Sequence, residues 1–235
     1  MRGYYSNYKP GKPKDPAAQL AKLRKKNPDI QPVILEGKNL AKSWWAKAWN
    51  KNLESYADYY SRIGRGRSYV RAGAVLDLLI SPGLVTAIIQ GSRTKPYDVS
   101  INIDPLSPLQ WKAITEKCNR KFANIEELAT GKFPTELEDL FTDLNSGLFP
   151  TPQDIHFYCT CPDWAYMCKH IAATLYGIGA RFDQDPLLFF LLRDIDFSEL
   201  IKKTVDDKMA GLLKNADKKS ERVIEDRDIA ELFDV

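Results

Sequence analysis

The chain is poor in the residues that make catalytic or oxidised sites. It has only four cysteines, two histidines and three methionines in 235 residues. No apolar run approaches the roughly 20 residues that a membrane-spanning helix needs. Residues 1–30 lack the apolar stretch of a secretory signal, so a cytoplasmic protein with reduced thiols is the default expectation. There is no Gly-rich phosphate loop ending in GKS or GKT, and no histidine-centred nucleophile arrangement. These absences argue against a nucleotide hydrolase, a triad hydrolase and a membrane protein, and leave no expectation of a small-molecule substrate. Carboxylates are plentiful, and a site built from them alone is not removed by this reasoning.

What is scarce is also concentrated. Three of the four cysteines and one of the two histidines lie in Cys159-Thr160-Cys161-Pro162-Asp163-Trp164-Ala165-Tyr166-Met167-Cys168-Lys169-His170. Thiolate sulfur and imidazole nitrogen are preferred ligands of tetrahedral Zn²⁺. Cys159, Cys161, Cys168 and His170 would complete a closed Cys₃His shell, with no position for water or substrate, so the expected role is structural. A disulfide cluster would leave one of the three cysteines over, and Cys-x-Cys is poorly placed for a local bridge. A catalytic thiol beside His170 would also need an orienting group and a pocket. His156 is a possible substitute ligand, but the set is complete without it. Trp164 and Tyr166, between the ligand pairs, either shield the metal or contact a partner. Lys169 either touches phosphate or offsets the thiolates.

The spacing Cys-x-Cys, then Cys-x-His, resembles the SWIM zinc finger. Cys161-Pro162-Asp163-Trp164 with Cys168-Lys169-His170-Ile171-Ala172-Ala173 is similar to its bacterial form, except that Met167 stands where Pro commonly precedes the third cysteine. Tyr176, Asp183, Asp185-Pro186 and Leu191-Leu192-Arg193 resemble the segment that follows the finger. Upstream, Trp44-Trp45, Gly64-Arg65-Gly66-Arg67, Gly91-Ser92-Arg93 and Pro96-Tyr97 resemble the family's N-terminal region, so the likeness covers most of residues 38–193. It implies a binding module for DNA or protein, of a kind that often accompanies Swi/Snf-type helicases.

Charge is divided unevenly. Residues 1–75 carry 16 Lys/Arg against 5 Asp/Glu, and residues 76–235 carry 18 against 26. A basic half beside an acidic half points to a polyanionic partner or to a solvated basic tail. Residues 1–33 form a basic arm rich in Tyr, Lys, Pro and Gly, with Pro16 to Lys26 a possible short helix. The arm can contact phosphates and stack Tyr4, Tyr5 and Tyr8 on bases, can simply solubilise the chain, or can dock on a protein. The run Arg62-Ile63-Gly64-Arg65-Gly66-Arg67-Ser68-Tyr69-Val70-Arg71 reads as a loop, either a phosphate clamp or a solvated turn into a strand. Arg62, Arg65, Arg67, Arg71, Arg93, Lys95 and Lys169 are the candidate nucleic-acid contacts.

The expected architecture is α+β. A tryptophan-bearing helix spans 38–61, and three strands follow at Tyr69–Ile80, Leu84–Gln90 and Tyr97–Asp104, the first two joined through Ser81-Pro82-Gly83. Helices follow from Pro108, at 125–128 and from Thr135 to Leu144, with Cys118 read as a buried small apolar residue. Gly147 to Pro152 reads as the boundary between an N-terminal domain at 34–149 and a helix-rich zinc finger at 150–193, and a charged helical tail occupies 194–235. Together these features predict a non-enzymatic zinc protein, acting as a DNA- or nucleic-acid-binding accessory factor to a helicase or transcription machinery. The alternative is a protein-interaction adaptor of such a complex.

Overall fold

One helix near the end of the chain gives the fold its centre. In the computed structural model, which describes residues 11–58, 60–121, 135, 138–143 and 147–216, helix α6 (Lys169–Gln184) lies against all four strands of the sheet and against three further helices. The elements before it are α1 (Pro16–Lys26), α2 (Trp44–Glu54), α3 (Tyr60–Arg71), β1 (Val75–Ser81), β2 (Leu84–Ile89), β3 (Tyr97–Ile103), α4 (Pro108–Lys121), α5 (Glu138–Thr142) and β4 (Ile155–Cys159). After it come α7 (Leu188–Leu192) and α8 (Phe197–Ala216). The fold is α+β: one antiparallel sheet, in order β1-β2-β3-β4, with helices packed on it.

Alternation along the strands explains which face they bury. Val85, Ala87 and Ile89 of β2 and Val99, Ile101 and Ile103 of β3 are buried, while Thr86 and Asp98 face out. Pro82 and Gly83 make the β1–β2 hairpin, with Gly83 at a φ of 65° that a side chain would strain. A fourth strand joins the three expected ones, because Ile101 pairs with Phe157 and Val99 with Cys159. The ligand-bearing segment is therefore an extension of the N-terminal sheet. Gly147 to Pro150, expected as a boundary, are buried instead; Leu148 and Phe149 donate backbone hydrogen bonds to Leu140 and Phe141. The chain divides into units at 1–197 and 198–235 rather than near residue 150. The described part of the second unit is the remainder of α8. No described helix is long and apolar enough to cross a membrane.

The expected helix at 38–61 is α2, starting at Trp44. Ser43 caps it by accepting from the Ala46 amide at 3.2 Å. Asp183, at the far end of α6, accepts from the Ser43 and Lys42 amides at 2.8 and 2.7 Å and so fixes where α2 begins. Trp45 and Trp49 donate their indole N–H groups to the Phe182 and Leu175 carbonyls. Trp49 is fully buried, in edge contact with Phe149, Phe182 and Phe189. The α1 helix spans the expected residues, with Asp15 as its cap. The described part of the expected Thr135–Leu144 helix is α5, with Leu140 and Phe141 buried. The segment 125–128, Tyr4, Tyr5 and Tyr8 lie outside the described residues.

The Gly-Arg run is not a loop. It forms α3, and β1 begins only at Val75. Glycine is a poor helix former, yet here tertiary packing outweighs propensity. A Cβ on Gly66 would lie 2.5 Å from the Ala172 Cβ and 2.9 Å from its carbonyl carbon, so only glycine allows α3 to approach α6 this closely. Gly64, two residues away on the same helix, has nothing within 4 Å of its absent Cβ. We predict opposite effects at the two positions. Gly66→Ala should destabilise by about 1–3 kcal/mol through overpacking, and Gly64→Ala should stabilise by about 0.5–1 kcal/mol. Urea unfolding measures both, and equal shifts at the two positions would contradict this packing.

Candidate metal centre

The last residue of β4, the turn after it and the first turn of α6 converge on one point. Cys159 ends the strand, Cys161 lies in the turn, Cys168 is the cap residue of α6, and His170 is in that helix's first turn. One ligand atom from each residue lies within 4.8 Å of all the others. His170 Nδ1 is 3.8 Å from the Cys159 sulfur and 3.9 Å from the Cys168 sulfur. Tetrahedral bonds of about 2.3 Å to sulfur and 2.0–2.1 Å to nitrogen would place such atoms roughly 3.5 Å apart. The four residues can therefore hold one metal ion with little movement. Cys168 and His170 are both about 1% exposed, whereas Cys159 and Cys161 are half-buried.

The electrostatics suit a cation. Three thiolates cannot ionise side by side without a counter-charge. The Cys161 thiol is held far below its usual range because the Cys159 and Cys168 thiols donate to it. The same contact with Cys161 pushes Cys159 far above the ordinary range. A metal ion would replace the protons shared within this cluster. Burial keeps the His170 imidazole below its ordinary pKa, which favours the neutral form that coordinates metals.

The shell behind the ligands is specific. His170 packs against Tyr97 at 4.6 Å and Tyr69 at 5.5 Å between ring centroids. Its Nε2 is buried without a hydrogen-bond partner. Gly91 makes room for this arrangement, since a Cβ there would sit 2.4 Å from the Tyr97 ring and 3.3 Å from His170 Nε2. The ligand turn is tied to both neighbours. Thr160 exchanges hydrogen bonds with the Asp98 backbone, its amide donating at 3.0 Å and its hydroxyl accepting at 3.0 Å. Asp58 accepts from the Tyr166 amide at 2.9 Å. Arg62 holds Asp163 through Nε and Nη2 at 3.0 and 3.1 Å. His156 is outside the cluster and pairs with Asp104 at 3.1 Å.

The basic residues read from the sequence do not share one role. Arg62 braces the ligand turn through Asp163. Arg67 donates to the Tyr176 hydroxyl at 2.8 Å and pairs with Glu54 at 2.6 Å. Lys169 lies over the Tyr69 ring at 5.9 Å. Arg71 is exposed and donates to the Lys38 carbonyl at 3.4 Å, at the long limit of a hydrogen bond. Arg93 and Lys95 are exposed on the β2–β3 connection, and Arg65 is half-buried. Trp164 is 77% exposed, so it does not seal the cluster; Tyr166 is half exposed and donates its hydroxyl to the Ile155 carbonyl at 2.8 Å. Asp58, Asp163, Tyr69, Tyr97 and Gly91 were missed as supports of the centre. The Arg62–Asp163 pair spans 101 positions, and only the opposite charges hint at it.

No family model matches the chain, and no solved structure matches it. It is 35% identical over 179 residues to the uncharacterized protein Rv2102 of Mycobacterium tuberculosis. The aligned part covers 76% of this chain and 64% of that protein. The chain thus spans less than two thirds of the curated relative it matches.

Two outcomes follow from this geometry. Arg62→Ala and Asp163→Ala should each lower metal affinity by about tenfold or more. The double variant should be little worse than either single one, because the two residues act as a pair. Additive losses in competitive metal titration would contradict that coupling. The second outcome concerns pH. The folded chain resists protonating His170, whereas the unfolded chain takes up that proton at about pH 6.5, the ordinary value for histidine. His170 therefore contributes stability that is present above that value and lost as pH falls below it. Stability and metal retention should decline together on acidification, and a metal-loaded protein equally stable on both sides of that value would contradict the assignment.

Proposed function

We propose that Cys159, Cys161, Cys168 and His170 hold one structural Zn²⁺ as a SWIM-type finger. The observation that carries this reading is the convergence of three sulfurs and one imidazole within 4.8 Å. Four such ligands satisfy tetrahedral zinc completely and leave no open position for catalysis. Zinc would supply folding free energy by joining β4 to α6. On this reading the protein is not an enzyme and works inside the cell as a binding module.

Its ligand, we infer, is nucleic acid, with DNA the first choice, and its role is that of an accessory factor to a helicase or transcription machinery. The uneven charge supports this, as do the exposed cations Arg71, Arg93 and Lys95. Arg62 and Arg67 serve the fold instead. A second reading, an adaptor that binds protein, is favoured by the exposed aromatics of the finger region, Trp164 at 77% and Tyr158 at 61%.

Zinc-loaded protein, titrated with a labelled duplex and a labelled single strand across a salt series, separates the two readings. Direct phosphate contact predicts that affinity falls steeply with salt, with a slope of about 0.9 per phosphate on duplex DNA. Absence of binding at low salt would reject the nucleic-acid reading. Under the adaptor reading, Trp164→Ala should abolish capture of a partner by the tagged protein while leaving zinc content at one per chain.

A further inference from the structure

Helices α2 and α3 border a cleft of about 350 Å³ that has no part in the metal centre. Lys47 and Lys51 line it from α2, Arg67 and Arg71 line it from α3, and the Tyr176 ring of α6 contributes to its lining. Each pair is spaced four residues apart, so each stands on one helix face with its members about 6 Å apart along the axis. Like charges at this spacing repel and weaken a helix. The Lys47–Lys51 pair has no acidic partner among the described residues, so its repulsion is a cost that a bound polyanion would remove.

Among the described residues, Glu54 is the one carboxylate lining this cleft, and its charge is already committed. It pairs with Arg67 at 2.6 Å and accepts the Tyr176 hydroxyl. Lys47, Lys51 and Arg71 form no ion pair among the described residues. Three cations without an ion-pair partner among the described residues thus line one open surface cleft. Arg67, held by Tyr176 and Glu54, serves the fold and adds no free charge to the cleft.

We propose that this cleft grips the phosphate backbone of a nucleic acid strand, and does so without reading its sequence. The proposal rests on the nucleic-acid reading above and gives it a surface. Lys47 and Lys51, one helical turn apart on α2, with Arg71 across the cleft on α3, suit successive phosphates better than one isolated anion. Among the described lining residues the one aromatic, Tyr176, has its hydroxyl engaged and its face against Arg67 at 5.6 Å, which leaves it no free platform for stacking a base. Lysine and arginine contacts to phosphate position a strand but carry no base information. Lys47 and Lys51 drew no attention in the sequence, where the tryptophans of the same helix dominate.

The test uses the full zinc-loaded chain and labelled single strands and duplexes of several unrelated sequences. Lys47→Gln with Lys51→Gln removes two cations from exposed positions. Lys47→Arg with Lys51→Arg keeps the charge, and Lys202→Gln with Lys203→Gln removes two exposed lysines from α8 as a control. The expected result is a loss of tenfold or more in affinity at low salt for the glutamine pair in the cleft. The salt slope should fall by about 1.8 on duplex and about 1.4 on single strand, two phosphates' worth. The arginine pair should bind like the parent protein, the control pair should keep the parent slope, and all sequences should respond alike. If the parent binds and the cleft pair keeps its affinity and slope, the cleft assignment fails while the nucleic-acid reading stands. If the parent binds no nucleic acid, both fail. Binding of polyglutamate that the cleft glutamine pair abolishes would then assign the cleft to an acidic protein, against the proposal.

Discussion

The junction between the end of β4 and the start of α6 governs the rest of the molecule. Cys159 and Cys161 come from the strand side, Cys168 and His170 from the helix side, and their donor atoms meet within 4.8 Å. A sheet edge and a helix N-terminus have no strong reason to stay together on apolar contact alone, and half of this cluster is only partly buried. A cation bound by all four residues would supply that reason. The far end of α6 is secured differently, because Asp183 binds the amides that begin α2. Between these two anchors, Gly66 lets α3 lie directly on Ala172. One helix, held at both ends and overlaid along its length, thus sets the positions of α2, α3 and the sheet.

This arrangement changes what the basic residues mean. Arg62 and Arg67 look like phosphate ligands in a Gly-Arg run, but each has a carboxylate partner that fixes a structural feature. Arg62 with Asp163 steadies the ligand turn, and Arg67 with Glu54 and Tyr176 joins α2, α3 and α6. Partly buried charge pairs thus hold the shape of the protein, while the other exposed cations lie on helix faces and on the β2–β3 connection.

Much of the metal site was legible in the sequence, because scarce ligand types crowded into twelve positions and the shell closed without any other residue. The α+β class and the hairpin through Pro82-Gly83 were legible too, since β-branched alternation and turn chemistry are local signals. What failed were inferences in which a local signal met a distant partner. Gly64-Arg65-Gly66 reads as loop by propensity, and only the approach of Ala172, more than a hundred positions away, makes a helix there favourable. Gly147 to Pro152 reads as a domain boundary by composition, yet Leu148 and Phe149 are buried beside Leu140 and Phe141. The Tyr69 and Tyr97 rings around His170 could not be foreseen, because nothing local links either tyrosine to that histidine.

The account stands on a closed shell of three sulfurs and one nitrogen around a single ion. X-ray absorption at the metal edge of the natively purified protein measures this shell directly. The account predicts zinc with three sulfur neighbours at about 2.3 Å and one imidazole nitrogen at about 2.0–2.1 Å. Fewer than three sulfurs, or a bound water oxygen completing the shell, would mean an incomplete or open site and would contradict it.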